Sequence, residues 1–454
     1  MTSLASDIAT AAGWGSLDNA LVDGEDPVLN SDFPCGALAA VALARTAIEA
    51  RKLAVVAGGE PGVVRTSVND GAGAVVGFGV QRLDGKPIDR TNVNNPFVER
   101  YRTVDERWIY LHGGMPGLKR KLCDVLNLPE TAERADLEWV VRRWHSDDLE
   151  DRVAAEGGCS AVVRTEGEWR EHPHGSVVHG LPVSIETVGS SVERRDWRPS
   201  PDRPLRGLRV LDLTRILAGP TCGRTLGSLG ADVLHVRGPE IPSVPAFVMD
   251  TGHGKRQAFC DFADADELSA LRSIALEADV VVQGYRPGIA AKFGLDEESL
   301  RGDGYAGLFG SISAFGPTGP WSERAGWEQL AQSTSGLCEG ALGERRPTML
   351  PGAVTDYTTG FVLAGSLIAA LRASMLDDRA RRVDAALCMT AAWLLRVGRR
   401  VDGEKSRGLS ASLITSETAW GRLEHLGPGF TVDGIDVGWD RPSAPLGSGP
   451  LTWG

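Results

Sequence analysis

The sequence lacks the closely spaced cysteines and histidines that build a metal site or a disulfide framework. Its seven cysteines are scattered without a C-x-x-C pair, and none of its eight histidines forms an H-E-x-x-H pattern. A zinc knuckle or a disulfide-stapled secreted fold is therefore not indicated, and we predict that the protein holds no metal. The odd number of cysteines fits a reducing compartment.

Positive charge is also scarce. The chain has 48 Lys and Arg against 60 Asp and Glu, a formal net charge of −12, which disfavours nucleic acid or an anionic membrane as the main ligand. Residues 1–13 contain no basic stretch followed by an apolar run, so no signal peptide is expected. The apolar segment 360–371 is shorter than the ~20 residues that span a bilayer and is predicted to be a buried core helix. These properties predict a soluble cytoplasmic protein without a membrane partner.

Nucleotide-binding and hydrolase signatures are missing as well. The loop Thr214-Arg215-Ile216-Leu217-Ala218-Gly219-Pro220 has one glycine where a dinucleotide fold needs G-x-G-x-x-G. No P-loop occurs, and no G-x-S-x-G stands where an α/β-hydrolase would need it. We therefore expect neither a nicotinamide nor a flavin.

What the sequence does contain is an alternation of strand-like and helix-like segments after residue 200. The proline-rich stretch 197–206 is typical of a stiff exposed connection. Short apolar runs at 208–213, 233–236, 279–283 and 307–313 are separated by helical segments such as 221–229 and 264–277. This pattern is typical of βαβ units and predicts an α/β fold, a Rossmann-like parallel sheet with helices on both faces. Ligands of such sheets bind at the C-terminal strand ends.

The first half predicts a smaller α+β domain. Residues 35–56 are an alanine-rich helix, 102–112 read as a turn and a strand, and helical patterns at 118–126, 130–144 and 147–155 follow. We therefore divide the chain into 1–200, a helical segment with the small α+β domain; 201–400, the Rossmann-like domain; and 401–454, a tail packed on the large domain.

Five blocks of the second half resemble the class III CoA-transferases, the CaiB/BaiF family, which also includes acyl-CoA racemases. They are RPLRGLRVLDLTRILAGPTCGRTLGSLGADVLHV (203–236), GHGKRQAFCDF (252–262), ADVVVQGYRPGIAAKFGLD (278–296), GSISAFGPTGPWSERAGWEQLAQSTSG (310–336) and PGAVTDYTTGFVLAGSLIAAL (351–371). The resemblance implies the CaiB/BaiF fold, here in a rearranged order, because segments like the family's small domain precede the Rossmann-like half. It also implies a homodimer. Members of the family form interlocked ring-shaped dimers, and the altered order of the two halves leaves open whether this chain does.

Asp356 is the candidate nucleophile. CoA transfer needs a carboxylate that can form a mixed anhydride and then an enzyme thioester, in a site that excludes water. From its position alone, Asp356 stands before an apolar helix and could simply be an N-cap. The resemblance implies instead that it is the catalytic aspartate.

Glu328 is the second candidate catalytic residue. The resemblance implies an aromatic–Glu pair in transferases, matched by Trp327-Glu328, and a His-Asp pair in racemases. Because tryptophan accepts no proton at neutral pH, a two-base racemase is disfavoured. A solvated charge at a helix start is the alternative interpretation of Glu328.

Coenzyme A, as the substrate thioester, needs cations for its phosphates and a partly apolar slot. The basic candidates fall in or near strand-end loops, and the resemblance adds an aromatic position and a backbone-contacting loop. The predicted contacts are Ile216, Leu217, Ala218, Lys255, Arg256, Tyr285, Arg286 and Lys292. The turn His112–Gly114 is a candidate lid, with an ordinary turn as the alternative.

The function predicted from these patterns is that of an acyl-CoA:carboxylate CoA-transferase working through an aspartyl intermediate. Its partners would be an acyl-CoA and a carboxylic acid. Two alternatives stay open: an acyl-CoA racemase or isomerase on the same fold, and a relative that binds CoA without turnover.

Overall fold

Helices and strands alternate along most of the chain. A computed structural model describes residues 4–17, 19–88, 94–178, 180–189, 196–286, 288–338, 346–399 and 406–453. The N-terminal region contains α1 (Leu4–Ala11), β1 (Ala20–Asp23), α2 (Cys35–Val56), β2 (Val64–Ser67), α3 (Val68–Val75), α4 (Gly77–Val80), β3 (Arg82–Leu83) and β4 (Lys86–Pro87).

A small α+β unit follows, as the sequence predicts. It contains β5 (Val98–Arg102), β6 (Trp108–His112), α5 (Pro116–Leu126), α6 (Arg134–Val141), α7 (Ser146–Ala155), β7 (Ser160–Val162), α8 (Glu166–Glu171) and a 3-10 turn (Gly175–Val177). The three strands pair antiparallel in the order β5-β6-β7. Apolar residues of α5, α6 and α7 pack on them in a core of their own.

The remaining elements build the large unit and the tail. The large unit has β8 (Val183–Thr187), β9 (Arg209–Leu213), α9 (Ala218–Ser228), β10 (Asp232–Arg237), α10 (Pro245–Thr251), β11 (Lys255–Phe259), α11 (Ala265–Leu276), β12 (Val280–Gln283), α12 (Ile289–Lys292), α13 (Glu297–Gly302), β13 (Leu308–Ser313), α14 (Glu328–Ser335), α15 (Val354–Asp377), β14 (Arg381–Ala386) and α16 (Leu387–Val397). The tail adds β15 (Leu413–Thr418), β16 (Gly421–Leu426) and β17 (Thr431–Val432).

The large sheet has seven strands in the order β11-β10-β9-β12-β13-β14-β8. The first six are parallel, and β8 closes one edge antiparallel to β14. Alternate strand residues enter two different cores: Val210 faces the layer of α2, α9 and α15, whereas Leu211 faces α11 and α13. Burial on both faces explains the continuous apolar runs of these strands. The predicted Rossmann-like sheet with helices on both faces is confirmed.

Two segments from the first half of the chain pack within the large unit, although the predicted domains placed them in a separate domain. Strand β8 lies in the large sheet although it precedes residue 200. Helix α2 packs along α15, where the Thr46 hydroxyl donates to the Phe361 carbonyl at 2.9 Å. The division 1–200, 201–400 and 401–454 therefore does not follow the membership of the sheets, because β8 and α2 find their partners in the second half of the chain.

The C-terminal tail contacts both the N-terminal region and the large sheet. Strand β15 pairs with β16, β16 pairs with β3, and β17 pairs with β2. Beyond them, the Gly449 amide donates to the Gln257 carbonyl at 2.8 Å on the outer edge of β11. The tail thus links the N-terminal region to the large sheet.

Helix α15 is by length and composition able to cross a membrane, the one such helix among the described residues. Most of it is buried against α2, α9 and the sheet, including the segment 360–371 predicted to be a core helix. The core therefore accounts for its apolar composition.

Candidate active site

Asp356 lies in the first turn of α15 and is 7% exposed. The cap position belongs to Ala353, which makes no side-chain cap bond. No described residue donates a hydrogen bond to the Asp356 carboxylate. The interpretation of Asp356 as an N-cap is therefore wrong, because another carboxylate takes the free amides at this helix end.

That carboxylate belongs to Glu328, the first residue of α14. It accepts hydrogen bonds from the Thr355 amide (3.0 Å), the Thr355 hydroxyl (2.6 Å) and the Asp356 amide (2.6 Å). The Gln332 side chain donates a further bond at 2.6 Å. Glu328 is buried, so the interpretation as a solvated charge is wrong. It clamps the start of α15, where helix amides favour an anion.

The two carboxyls perturb one another. Burial raises the pKa of Asp356 well above its ordinary value, and the negative charge of Glu328 raises it further. Burial also raises the pKa of Glu328, against four hydrogen bonds that favour its anion. Asp356 has no such bonds, so a proton shared by the pair resides on Asp356. Once ionised, this poorly solvated carboxylate is a strong nucleophile.

The loop between β9 and α9 forms one wall beside Asp356. Asp212, at 0% exposure, accepts from the Thr214 amide at the start of this loop. The Lys255 ammonium binds Asp212 at 2.7 Å and the Pro220 carbonyl, at the start of α9, also at 2.7 Å. Both ends of the loop are thus tied to one buried ion pair. Between them Ile216 has φ 72°, a strained conformation for a β-branched residue and a common feature of functional sites.

Two chambers meet at Asp356. The smaller has a volume of about 130 Å³, and three arginines, Arg215, Arg286 and Arg324, are among its lining residues. Ile216, Ala218 and Tyr285 also line it. This side of the site is polar and cationic.

The larger chamber has a volume of about 420 Å³ and borders both Asp356 and Glu328. Its walls come from the N-terminal region, the small α+β unit and the large unit. They consist of Val76, Phe78, Gly79, Val98, His112, Gly114, Met115, Ile216, Leu217, Val244, Ala246, Phe247, Trp327, Glu328, Gln329, Gly352, Ala353 and Asp356. Three regions of a single chain therefore line the space beside the Asp356 carboxylate.

The structure brings together most of the predicted site. Asp356, Glu328, Ile216 and Leu217 line the larger chamber, and Ala218, Tyr285 and Arg286 line the smaller one. Lys255 and Arg256, predicted to fall in or near a strand-end loop, both begin β11 and line neither chamber. Lys255 is buried with Asp212, and Arg256 binds Asp232 and the Thr452 carbonyl. Lys292 is exposed at the end of α12 and lines neither chamber.

Among the site residues whose part in the site was not predicted are Arg215 and His112. Arg215 sits in the quoted loop, but a single loop arginine has no distinguishing pattern. His112 was predicted to end a strand and to belong to a candidate lid, whereas its ring stacks on Trp327 with centroids 4.4 Å apart and lines the larger chamber. Burial lowers the pKa of His112 to about 4, so the imidazole is neutral at physiological pH. Only the folding of β6 onto α14 reveals this contact.

Within the described part of the chain, no group of three or more His, Cys, Asp or Glu side chains is arranged to hold a metal ion. All seven cysteines are free and buried.

Comparison with known proteins identifies the segment that carries this site. Residues 205–398 match the family model for CoA-transferase family III. The acetyl-coenzyme A transferase nodX of Hypoxylon pulicicidum is 30% identical over 320 residues, 65% of this chain and 54% of that protein. The succinate–glutarate CoA-transferase of Agrobacterium fabrum is 33% identical over 209 residues, 42% of this chain and 52% of that protein.

A solved structure gives a similar match. A CAIB/BAIF family protein from Brucella suis is 33% identical, over 43% of this chain and 56% of that one, with a TM-score of 0.40. This chain spans about half the length of the curated relatives named above.

Proposed function

We propose that this chain, whose residues 205–398 belong to CoA-transferase family III, transfers coenzyme A from an acyl-CoA to a carboxylic acid. The observation that carries the proposal is the Asp356 carboxylate, which borders two chambers and accepts no hydrogen bond from a described residue. A carboxylate that caps its own helix would be stabilised and unreactive. The Asp356 carboxylate is left without such hydrogen bonds because Glu328 caps the helix instead.

In the proposed reaction Asp356 attacks the thioester carbonyl carbon, and the C–S bond breaks to release CoA thiolate and leave a mixed anhydride. The thiolate then attacks the aspartyl carbonyl of that anhydride, which expels the first acid as its carboxylate and forms an aspartyl-CoA thioester. The acceptor carboxylate attacks the carbonyl of this thioester, the C–S bond breaks to release CoA thiolate, and a second mixed anhydride forms; the thiolate then attacks the acyl carbonyl of that anhydride and expels the Asp356 carboxylate. Acyl-CoA leaves, and Asp356 is regenerated as a carboxylate.

Glu328 acts in this proposal as a positioning residue. All its described contacts go to the start of α15 and to Gln332. They fix the backbone of the nucleophile, and the charge of Glu328 keeps the Asp356 carboxylate basic. We assign it no proton transfer.

Coenzyme A would enter on the arginine side. Arg215 and Arg286 supply cations near the strand ends, and the backbone at Ile216–Ala218 offers a close approach for the pantetheine arm. Tyr285 offers its ring to the adenine. Exposed Lys292 remains a candidate for a phosphate contact outside the chamber. The homodimer and the cytoplasmic location remain predictions.

Trapping tests the proposal directly. The protein is incubated with an acyl-CoA, treated with hydroxylamine and digested, and the peptides are analysed by mass spectrometry. We expect a hydroxamate at Asp356, no adduct in Asp356→Asn, and an unchanged adduct in Asp378→Asn, which alters an exposed aspartate at the other end of the same helix. CoA binding without any adduct would instead support the non-catalytic alternative.

The racemase alternative gains one specific observation. The imidazole that Trp327 replaces in the sequence is supplied from β6, since His112 stacks on that tryptophan beside the larger chamber. A neutral imidazole and Asp356 could exchange an α-proton of an acyl-CoA. Deuterium incorporation at the α-carbon from heavy water, with no hydroxamate at Asp356, would favour this reaction over transfer.

A further inference from the structure

The larger chamber differs from the smaller one in its charges. No lysine or arginine is found among the described residues that line it, whereas three arginines line the smaller chamber. Its ionisable groups are Asp356, Glu328 and His112, and His112 is neutral because burial lowers its pKa to about 4. The space next to the nucleophile thus contains acid side chains and no cation to balance them.

Apart from Gln329, the remaining side chains of the wall are mainly apolar. Phe78 and Phe247 pack edge-to-face with centroids 4.9 Å apart, and Met115, Val98 and Val244 complete much of the surface. A second carboxylate on a bound acyl group would lose its hydration here without gaining a counter-ion, which is strongly unfavourable. An alkyl chain would lose only its contact with water, which is favourable.

The wall is fixed to the helix of the nucleophile. The Phe78 amide donates to the Tyr357 hydroxyl at 3.1 Å, and that hydroxyl donates to Asp250 at 2.6 Å. The Ala353 amide donates to the Val75 carbonyl at 2.9 Å. The chamber is therefore preformed, and its volume of about 420 Å³ lies within the ~300–1,000 Å³ of small-molecule sites.

We infer that the larger chamber binds the acyl group of the substrate and selects an uncharged aliphatic acyl chain over a dicarboxylic one. The inference rests on the proposed function, which places the thioester carbonyl at Asp356 with coenzyme A on the arginine side. The acyl group then projects into the chamber that lacks a cation.

Two thioether analogues test the inference without requiring chemistry. S-hexyl-CoA and S-(5-carboxypentyl)-CoA have six-carbon chains and differ by a terminal carboxylate, and neither has a carbonyl for Asp356 to attack. We expect calorimetry on the full chain to give at least about tenfold tighter binding of S-hexyl-CoA. Equal affinities, or tighter binding of the acid, would overturn the inference.

A cation placed in the wall should reverse the preference. Met115 is half-buried in the loop before α5 and lines the chamber, so Met115→Arg brings a guanidinium to the acyl chain. We expect the affinity ratio to shift by about tenfold towards the acid. Val104→Arg, at an exposed position that lines neither chamber, should leave the ratio unchanged. An unshifted ratio in Met115→Arg would also count against the inference.

The two proposals can fail separately. Preference for the hexyl analogue without a hydroxamate at Asp356 would refute the transfer chemistry and keep the assignment of the chamber. A hydroxamate at Asp356 with preference for the acid would do the reverse.

Discussion

At the scale of single residues, two carboxyl groups lie at the start of α15, and only Glu328 caps the helix. A carboxylate at the start of a helix ordinarily accepts hydrogen bonds from the free amides there. Here Glu328 reaches across from α14 to take the Thr355 and Asp356 amides. Asp356 keeps its position in the first turn but not the hydrogen bonds that would lower its reactivity.

Replacing Glu328 by glutamine should move the pH profile. The proposed transfer needs ionised Asp356, so we expect activity to be lost as the pH falls through the raised pKa of that group. Glu328→Gln removes the negative charge that helps to raise it, and the acid limb of kcat/KM should therefore move to lower pH. Burial remains and keeps the pKa of Asp356 above its ordinary value. Glu171→Gln, at an exposed position in α8 that lines neither chamber, should leave the acid limb in place.

The same variant should be less stable by about 1–3 kcal/mol, because the amide group of glutamine presents a donor to backbone donors. If the acid limb of kcat/KM stayed at the same pH while the free energy of unfolding fell, Glu328 would be a helix cap with no effect on the pKa of Asp356. Kinetics across pH and urea unfolding separate these two results.

The buried Lys255–Asp212 pair gives a stability prediction. Lys255→Met leaves Asp212 charged at 0% exposure, which should cost about 3–5 kcal/mol in the free energy of unfolding. The double variant Asp212→Asn/Lys255→Met removes the orphaned charge, retains an oxygen for the Thr214 amide, and should recover much of the loss. A single variant within about 1 kcal/mol of the parent would contradict the structural role of this lysine. Denaturant unfolding measures both.

At the scale of elements, α15 depends on close approach to its neighbours. A Cβ at Gly360 would lie 2.4 Å from the Ala218 carbonyl oxygen and 2.7 Å from the Thr221 Cβ of α9. The backbone can therefore meet α9 only without a side chain at this position. Because Ala218 also lines the smaller chamber, the contact sets the spacing between α15 and the loop beside Asp356.

Gly360→Ala should accordingly destabilise the protein by about 1–3 kcal/mol and reduce activity by displacing α15 from the loop. Gly117→Ala in α5 is the matched control, since a Cβ there meets nothing within 4 Å. It should be neutral or stabilising by about 0.5–1 kcal/mol. Thermal unfolding and initial rates of both variants would check the pair, and similar behaviour of the two would refute close packing at Gly360.

The elements also show how far the sequence could be read. Strands β9 and β12 were predictable because they are short, apolar and buried on both faces. Strand β14 was missed because Arg381–Ala386 begins with two arginines and has no apolar run, and β8 was missed because it is a mostly exposed edge. Their pairing depends on residues far along the chain, which local patterns do not record.

The same limit applies to the site. Asp356 and Glu328 were found through their motifs, whereas the wall residues Phe78, Met115 and Phe247 were not. Each is an ordinary apolar side chain in its own segment. They become a binding surface only when three regions of one chain converge on α15.

At the scale of the whole molecule, the first half of the chain completes the second. Helix α2 is buried on nearly every side and covers α15, and β8 supplies the last strand of the large sheet. The region matched by the family profile therefore depends on segments outside it for cover.

Residues 196–454 expressed alone should consequently fail to give a monodisperse protein. Without α2 the apolar face of α15 meets water, and without β8 the edge of β14 is open. We expect aggregation and strong binding of a hydrophobic dye, and recovery of a monodisperse complex when residues 1–189 are co-expressed. A well-folded monomer from 196–454 alone, judged by size exclusion and circular dichroism, would contradict this dependence.

The two ends of the large sheet have a consequence for self-association. At one end β8 is short, antiparallel and largely exposed, and carries Glu186, while at the other the tail bonds to Gln257 of β11. Neither of the outermost parallel strands, β14 and β11, therefore offers a bare ladder of amides and carbonyls to a second molecule. Fibril-like stacking of sheets needs such a ladder as its template. The segments that flank the sheet thus cover the edges of its outermost parallel strands, and this protection should persist in Asp356→Asn because it does not depend on that carboxylate.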